Sequence, residues 1–235
     1  MSADEKELEA NPQIIAECAL KSLTGLSPSQ QELLFQTKKE QTFTSILTSA
    51  LQANYDSSDL RVLVELKGVD YVQRATSRLE EKNSRNTHDL GILDLNANLK
   101  LILENKVWYH FDGAKGAKVV KVEKSVKEQL KADIFKLKHS AKHLEVKRCF
   151  ILINLVTPSR PDNLPKSYRQ PHAVVLKRTK GDLSRYRSDG LQGVKSVIES
   201  FKADFSSIVH LGSDEPIGID GSGFLDVFCG EIKLK

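Results

Sequence analysis

Two acidic residues and a lysine occur where neighbouring segments of the chain can bring them together. Asp89 begins an apolar stretch that runs to Asp94, and Glu104 and Lys106 end the apolar run that starts at Leu101. Glu104 and Lys106 are two residues apart, so their side chains share one face of a β-strand. Two carboxylates at one place suit Mg²⁺, which usually takes one or two carboxylates together with waters and phosphate oxygens. We therefore expect a metal site at Asp89 and Glu104.

The lysine adds a second kind of chemistry at the same place. Its ammonium group can lower the pKa of an attacking water or stabilise the negative charge of a pentacovalent phosphate. Packing alone gives little reason for acidic residues at the end of an apolar strand, because a buried charge is costly unless it is paired. We therefore expect Asp89, Glu104 and Lys106 to carry catalysis.

The segments around these residues predict a strand hairpin followed by a helical crossover. Residues 88–95 and 99–107 have the alternation of two strands, with a turn at 96–98. A helix is expected at about 122–144 and a buried strand at 147–156. Together these elements predict an α/β fold with a mixed β-sheet flanked by helices.

The part of the chain before the hairpin is expected to be mainly helical. Residues 1–26 indicate a poorly anchored lead-in, whereas Ser27 followed by Pro28 is typical of a helix start. The helix that begins there has an inward apolar stripe that includes Leu33. Glu40 shares that inward side, and a carboxylate in such a position needs a partner. The elements predicted before residue 88 are a short helix around 14–23, a helix from 28 to about 53, a strand at 60–66 and a helix at 71–82.

The C-terminal part has a less regular pattern. Three prolines in residues 157–170 indicate a loop, a helix is expected around 192–204, and the glycine-rich end predicts one or two short strands. We divide the chain into a lead-in (1–26), a core (27–156) and a basic C-terminal extension (157–235) packed on that core as one compact unit.

Positive charge is unevenly distributed along the chain. The net charge is only +4, but residues 115–148 hold eleven Lys/Arg against four Asp/Glu, and residues 160–187 hold eight against two. Basic segments next to an acidic site suit a phosphate backbone such as that of DNA. A solvated lysine-rich face is the alternative for either segment alone. The expected DNA contacts are Lys115, Lys118, Arg169, Lys177, Arg178, Arg185 and Arg187.

Other chemistries have less support in the sequence. Cys18, Cys149 and Cys229 are far apart and form neither a metal-ligand spacing nor a disulfide framework, so we expect structural cysteines. The histidines lack zinc-ligand spacing, and Gly-x-Ser-x-Gly is absent. No apolar run approaches the roughly 20 residues of a membrane span, and residues 1–13 carry no secretory signal. We expect no membrane partner and a cytoplasmic location.

The order of these residues and elements resembles a known nuclease signature. Asp89, followed after an apolar strand and a turn by Glu104-Asn105-Lys106, is similar to the motif of the PD-(D/E)XK, or restriction endonuclease-like, superfamily. His88 stands where that motif has proline. The resemblance covers roughly residues 27–156 and implies a restriction endonuclease-like core.

Two further residues resemble members of the superfamily. Gln129, on the helix after the motif, resembles a glutamine of some branches, and Glu40 resembles the glutamate of the first core helix. Lys106 would assist the nucleophilic water. The implied metal ligands are Asp89, Glu104, the backbone carbonyl of Asn105 and Glu40, the last of these for a second metal or a metal-bound water.

The resemblance also implies a cofactor and a reaction. Mg²⁺ would be the cofactor, with Mn²⁺ able to substitute, and phosphodiester bonds, usually in DNA, would be hydrolysed to leave a 5′-phosphate. We expect a metal-dependent endodeoxyribonuclease such as a restriction enzyme. The alternatives are a catalytically inactive DNA-binding or structural protein on the same fold, and a repair or junction nuclease or a nuclease toxin. The oligomeric state, a homodimer included, stays open.

A competing match to the motif lies nearer the N-terminus. Glu65-Leu66-Lys67 also ends a predicted strand, with Asp56 and Asp59 upstream. This register leaves the hairpin and the crossover helix without a role, so we favour Glu104. The terminal Glu231-Ile232-Lys233 is followed by no further helix and strand, and we treat it as chance.

Overall fold

A computed structural model describes most of the chain. The described residues are 11–36, 40–55, 60–67, 87–109, 120–139, 146–156, 173, 177, 179–180, 182–218 and 223–234. The helix predicted at 71–82 and the loop predicted at 157–170 lie outside them.

A six-stranded mixed sheet forms the centre of the described structure. Its spatial order is β1-β2-β3-β4-β6-β5. The β3–β4 pair is parallel, and the other pairs in this sheet are antiparallel. The predicted hairpin and helical crossover, and the α/β fold built on them, are confirmed. The strands are β1 (Leu60–Lys67), β2 (Thr87–Asp94), β3 (Leu99–Tyr109), β4 (Lys147–Val156), β5 (Phe205–Gly212) and β6 (Phe224–Ile232).

Helices cover both faces of this sheet, because each face carries its own apolar cluster. Ile15 and Leu47 belong to the cluster on one face, and Leu130 and Val194 belong to the cluster on the other. None of the described helices combines the length and the apolar character that crossing a membrane requires. The helices are α1 (Pro12–Thr24), α2 (Pro28–Gln36) and α3 (Glu40–Asn54), with α4 (Val120–His139) and α5 (Leu183–Glu199) on the opposite face.

Strand alternation in β3 decides which helix the candidate residues face. Leu101 and Leu103 pack into the cluster with α1 and α3, whereas Ile102 and Trp108 pack into the cluster with α4 and α5. Even-numbered side chains of β3 therefore point toward α4, as period-two alternation requires.

The turn between β2 and β3 follows from the chemistry of Asp94. Its Oδ1 accepts hydrogen bonds from the backbone N–H groups of Asn96 (2.9 Å) and Asn98 (2.8 Å), as aspartate commonly does in turns. Ala97 adopts a left-handed φ of 59° at the tip. Hydrogen bonds from Asn98, with help from Lys100, lower the pKa of Asp94 to about 2. The predicted turn at 96–98 is confirmed.

The N-terminal helices differ from the sequence expectation in two ways. Residues 12–24 are not a poorly anchored lead-in, because α1 packs into the main core through fully buried residues such as Ile15 and Leu23. The helix predicted from 28 to 53 is described as α2 and α3, with 37–39 outside the described residues. Leu33, which the predicted inward stripe included, is 53% exposed, whereas its neighbour Leu34 is buried.

The C-terminal part completes the sheet. The helix predicted at 192–204 begins earlier, at Leu183, where the Asp182 side chain caps it by accepting from the Arg185 N–H (3.0 Å). It ends at Glu199 and is followed by a short 3-10 helix at Lys202–Asp204. The strands β5 and β6 are eight and nine residues long, and β6 pairs directly with β4. The mostly apolar residues 224–229 explain why β6 lies inside the sheet rather than at its edge.

The described cysteines agree with a structural role. Cys149 and Cys229 are buried in the core, Cys18 is half-buried, and all are free thiols. Burial, followed by a contact with Cys149, raises the pKa of the Cys229 thiol. A thiol with a raised pKa is a poor nucleophile.

Candidate metal and catalytic site

The candidate residues lie where β2 and β3 separate. The β2–β3 ladder reaches its last pair at Leu90 and Leu103, whereas β3 stays paired with β4 as far as Tyr109. Beyond that last pair, the Asp89 side chain takes the place of a strand partner, and its Oδ2 accepts the backbone N–H of Asn105 at 2.7 Å. We call this place the fork. Asp89 and Glu104 are therefore held on the two strands that border it.

Two carboxylates share the fork at an electrostatic cost. Glu104 is only 2% exposed. The pKa of Asp89 is raised by burial first and by the charge of Glu104 second, against the Asn105 N–H and the Lys136 and Lys106 ammonium groups, which lower it. A cation placed between the carboxylates would relieve this repulsion.

Glu104 has two donors at one oxygen. The Lys136 ammonium lies 2.6 Å from Glu104 Oε1, and His88 Nδ1 lies 2.5 Å from the same atom. When Glu104 is ionised its carboxylate only accepts, and Nδ1 is then the donor of this bond. His88 is 1% exposed, and its Nε2 is buried without a hydrogen-bond partner among the described residues. Neither His88 nor Lys136 was among the residues predicted for the site.

Lys106 joins the fork to both helix layers. Its Nζ lies 3.5 Å from Glu40 Oε2 at the start of α3 and 3.5 Å from Asp133 Oδ2 on α4. Burial alone would lower the pKa of Lys106, but the charges of Asp133, Glu40, Asp89 and Glu104 outweigh burial and raise it. The ammonium is therefore charged at neutral pH, and its contribution is electrostatic. The expected partner of Glu40 is thus Lys106.

Asp133 is a third carboxylate of the site, partly buried with a side chain 15% exposed, and it was not among the residues predicted from the sequence. Burial raises its pKa to about 6, although the nearby Lys106 lowers it. A helical-wheel reading could have found it, because Asp133 lies three residues after Leu130 and four before Leu137, both fully buried. Carboxylates thus outnumber ammonium groups around Lys106, which favours an added cation.

Asn105 ties the fork to α3. Its Nδ2 donates to Thr44 Oγ1 at 2.6 Å, and Thr44 Oγ1 donates to the Glu40 carbonyl at 2.8 Å. These bonds fix the start of α3, and with it Glu40, beside the fork. The predicted use of the Asn105 carbonyl as a metal ligand stays a prediction. Gln129 lies exposed on α4, one turn before Asp133, and its role also stays a prediction.

The donor set suits one kind of metal. Across the part of the chain that the structure describes, no three His, Cys, Asp or Glu side chains are grouped to hold an ion. The fork instead offers the two carboxylates of Asp89 and Glu104. That set is too small for a zinc cage but fits Mg²⁺, which completes its shell with water and substrate phosphate oxygens.

The predicted DNA contacts fall into three groups. Lys177 and Arg185 are exposed. Arg187 is held within the protein: its Nη2 lies 3.7 Å from Oδ1 of the buried Asp226 and donates to the Ser213 carbonyl at 3.0 Å. Its guanidinium also stacks 4.2 Å from the centre of the Phe224 ring. A structural role thus accounts for Arg187, and its DNA contact stays a prediction. Lys115, Lys118, Arg169 and Arg178 lie outside the described residues.

The competing register has a different setting. Glu65 is exposed on β1, the outermost strand at one side of the sheet, with a left-handed φ of 53°. Asp56 and Asp59 lie outside the described residues. In the described structure Glu65 has no carboxylate placed against it as Asp89 is against Glu104, so the geometry favours the fork.

Comparison of the chain with protein-family models, curated proteins and solved structures gave no match.

Proposed function

We propose that this protein is a Mg²⁺-dependent nuclease that hydrolyses phosphodiester bonds in DNA, with a restriction endonuclease-like core. The observation that carries the proposal is the fork, where Asp89 and Glu104 lie together with Lys106 beside them. The motif residues of the sequence thus meet at one place, on the strands that the resemblance requires.

Each residue has a distinct part in the proposed reaction. Asp89 and Glu104 would hold Mg²⁺, which when bound supplies positive charge at the phosphate that is attacked. Lys106 keeps a charged ammonium and stabilises the extra negative charge of the pentacovalent phosphate. Glu40 and Asp133 hold Lys106 from opposite sides and limit its movement. Water attacks phosphorus and gives up a proton to solvent, the bond to the 3′ oxygen breaks, and that oxygen takes up a proton from solvent. The products are a 5′-phosphate and a 3′-hydroxyl.

A second candidate is a DNA-binding or structural protein on the same fold without activity. The observation in its favour is that Glu104 already has Lys136 and His88 as partners, as in a structural ion-pair network. The raised pKa of Asp89 argues against it, because burial first and the charge of Glu104 second outweigh the Asn105 N–H, Lys136 and Lys106, which lower the pKa. A biological role in restriction, repair, junction cleavage or toxicity is equally compatible with the fork.

Incubation of plasmid and single-stranded DNA with the purified protein tests the proposal. Cleavage is expected with Mg²⁺ or Mn²⁺, and none is expected with EDTA. Metal-independent cleavage would exclude the mechanism. DNA binding without cleavage in either metal would favour the second candidate.

A further inference from the structure

The contact between Lys136 and Glu104 places a positive charge where the proposed metal ligand would need one. Lys136 Nζ lies 2.6 Å from Glu104 Oε1, and the two side chains are 23% and 3% exposed. Lys136 belongs to the last turn of α4. Lys138, two residues later, pairs instead with Asp204, away from the fork. The last turn of α4 therefore carries one lysine toward the site and one away from it.

A divalent cation and the Lys136 ammonium compete for the same carboxylate. Like charges held a few ångströms apart in a partly buried site repel each other strongly. Binding of the metal to Glu104 therefore weakens the Lys136–Glu104 ion pair, and the ammonium can then pair with a different anion. Lysine has a flexible stem and a compact charge, so its ammonium can change partner without movement of the helix.

The geometry points to Lys136 as a coupling residue that links metal binding to binding of a phosphodiester, an inference that rests on the proposed function. Without DNA, Lys136 neutralises Glu104 and keeps metal affinity low. With DNA, a backbone phosphate takes up the ammonium and leaves Glu104 to the metal. Metal and DNA then strengthen each other's binding, and thermodynamic linkage makes the effect equal in both directions.

Lys106 cannot couple metal binding to phosphodiester binding in the same way. It is held by Glu40 and Asp133, neither of which belongs to the Asp89–Glu104 pair. The site thus has one lysine anchored beside the ligands and one bound to a ligand itself. Lys106 and Lys136 are therefore expected to respond differently when a metal binds.

The first test measures the affinity of the free protein for Mn²⁺ by electron paramagnetic resonance of the unbound ion. Lys136→Met should bind Mn²⁺ about tenfold more tightly than the wild type, because it removes the competitor. Lys136→Arg, which keeps the charge, should resemble the wild type. Lys138→Met is the matched control and should also resemble it.

The second test measures the affinity for a fluorescent DNA duplex by anisotropy, with and without Ca²⁺, in which cleavage is normally blocked. In the wild type, Ca²⁺ should raise duplex affinity. In Lys136→Met the rise should be several-fold smaller, because one source of coupling is lost. Lys138→Met should keep the full rise.

The outcomes separate the inference from the proposed function. If the wild type and Glu104→Gln bind Mn²⁺ with equal, measurable affinity, or if neither the wild type nor Lys136→Met binds it, the fork is not a metal site and the proposed function fails. If Mn²⁺ binding depends on Glu104 but Lys136→Met leaves both Mn²⁺ affinity and the Ca²⁺ effect unchanged, the metal site stands and the coupling role is wrong.

Discussion

The backbone N–H of Asn105 donates to the Asp89 carboxylate over 2.7 Å, beyond the last ladder pair of β2 and β3. This single bond replaces the strand pairing that the two chains give up there. It fixes Asp89 relative to Glu104, the residue that precedes Asn105. A substitution at Asp89 can therefore change folding stability and metal binding separately.

Asp89→Asn and Asp89→Ala should separate these two effects. The asparagine amide oxygen can still accept the Asn105 N–H, so Asp89→Asn should fold. Its stability at pH 7 should be at least that of the wild type, because the substitution removes a carboxylate whose pKa is raised by burial and by Glu104. Asp89→Ala should lose about 1–3 kcal/mol, the cost of an unsatisfied buried donor. Both should lose cleavage. Urea unfolding with parallel digests measures this, and an active Asp89→Asn would remove Asp89 from the metal site.

Lys106→Met should reduce turnover far more than DNA affinity. Its proposed role is in the transition state, and removal of one such charge typically costs about 10²–10³ in kcat. Lys100 lies on the same strand, is 52% exposed and pairs with Asp94, so Lys100→Met is the matched control and should keep activity. Single-turnover cleavage and anisotropy measure the two quantities. Parallel losses of rate and affinity would make Lys106 an ordinary phosphate contact.

Asp133 should make the metal-free protein less stable as pH rises. Its pKa is raised from 3.8 to about 6 in the fold, so the folded state binds more protons between these values and loses stability as pH increases through them. Asp133→Asn should remove this loss, a change on the order of 2 kcal/mol between pH 4 and pH 7. Asp94 is the opposite case. Its pKa is lowered to about 2 in the fold, so its contribution to folding stability is present above about pH 4 and is lost on acidification.

Unfolding of the wild type, Asp133→Asn and Asp94→Asn in EDTA from about pH 2 to pH 7 checks both signs. The same slope in the wild type and Asp133→Asn would show that Asp133 is not the group responsible.

Arg187 and Arg185 should differ in stability despite their closeness in sequence. Arg187→Met leaves the buried Asp226 without its guanidinium and should cost about 2–4 kcal/mol, as for other broken buried pairs. Arg185 is exposed, and Arg185→Met should change stability by less than about 0.5 kcal/mol. Thermal unfolding measures the difference. Equal effects would contradict the structural role of Arg187.

Lys177 and Arg185 together should supply salt-dependent DNA affinity. On duplex DNA, log K falls with log salt by about 0.9 for each neutralised phosphate, so the double Ala variant should bind more weakly with a slope shallower by about two. Anisotropy in Ca²⁺ across a range of salt measures the slope. An unchanged affinity and slope would mean that these residues belong to a solvated surface.

Much of the fold was predictable because its elements have strong local patterns. The hairpin, α4 and β4 have clear periodicity, and Asp94 and the asparagines specify the turn between β2 and β3. The place of β6 beside β4 was not predictable, because pairing across some 70 residues depends on the whole sheet rather than on local pattern. The packing of α1 was missed because a short apolar helix gives no indication of its partner.

Two carboxylates of the site, Asp89 and Glu104, were predictable, whereas the third, Asp133, and the other surrounding residues were not. Period-two alternation brings Glu104 and Lys106 to one face, and the hairpin brings Asp89 to them. Asp133 and Lys136 come from a helix whose rotation about its axis depends on tertiary packing, so no motif includes them. His88 reaches Glu104 only because the two strands separate at the fork.

Plasmid cleavage in Mg²⁺ by Glu104→Gln, compared with Glu65→Gln, tests the central claim most directly. Both changes remove one carboxylate at a Glu-x-Lys segment, but only Glu104 lies at the fork. We expect Glu104→Gln to fold and lose cleavage by at least about 10³-fold, while Glu65→Gln cuts like the wild type. A folded Glu104→Gln with near wild-type activity, above all beside an inactive Glu65→Gln, would contradict the assignment of the site.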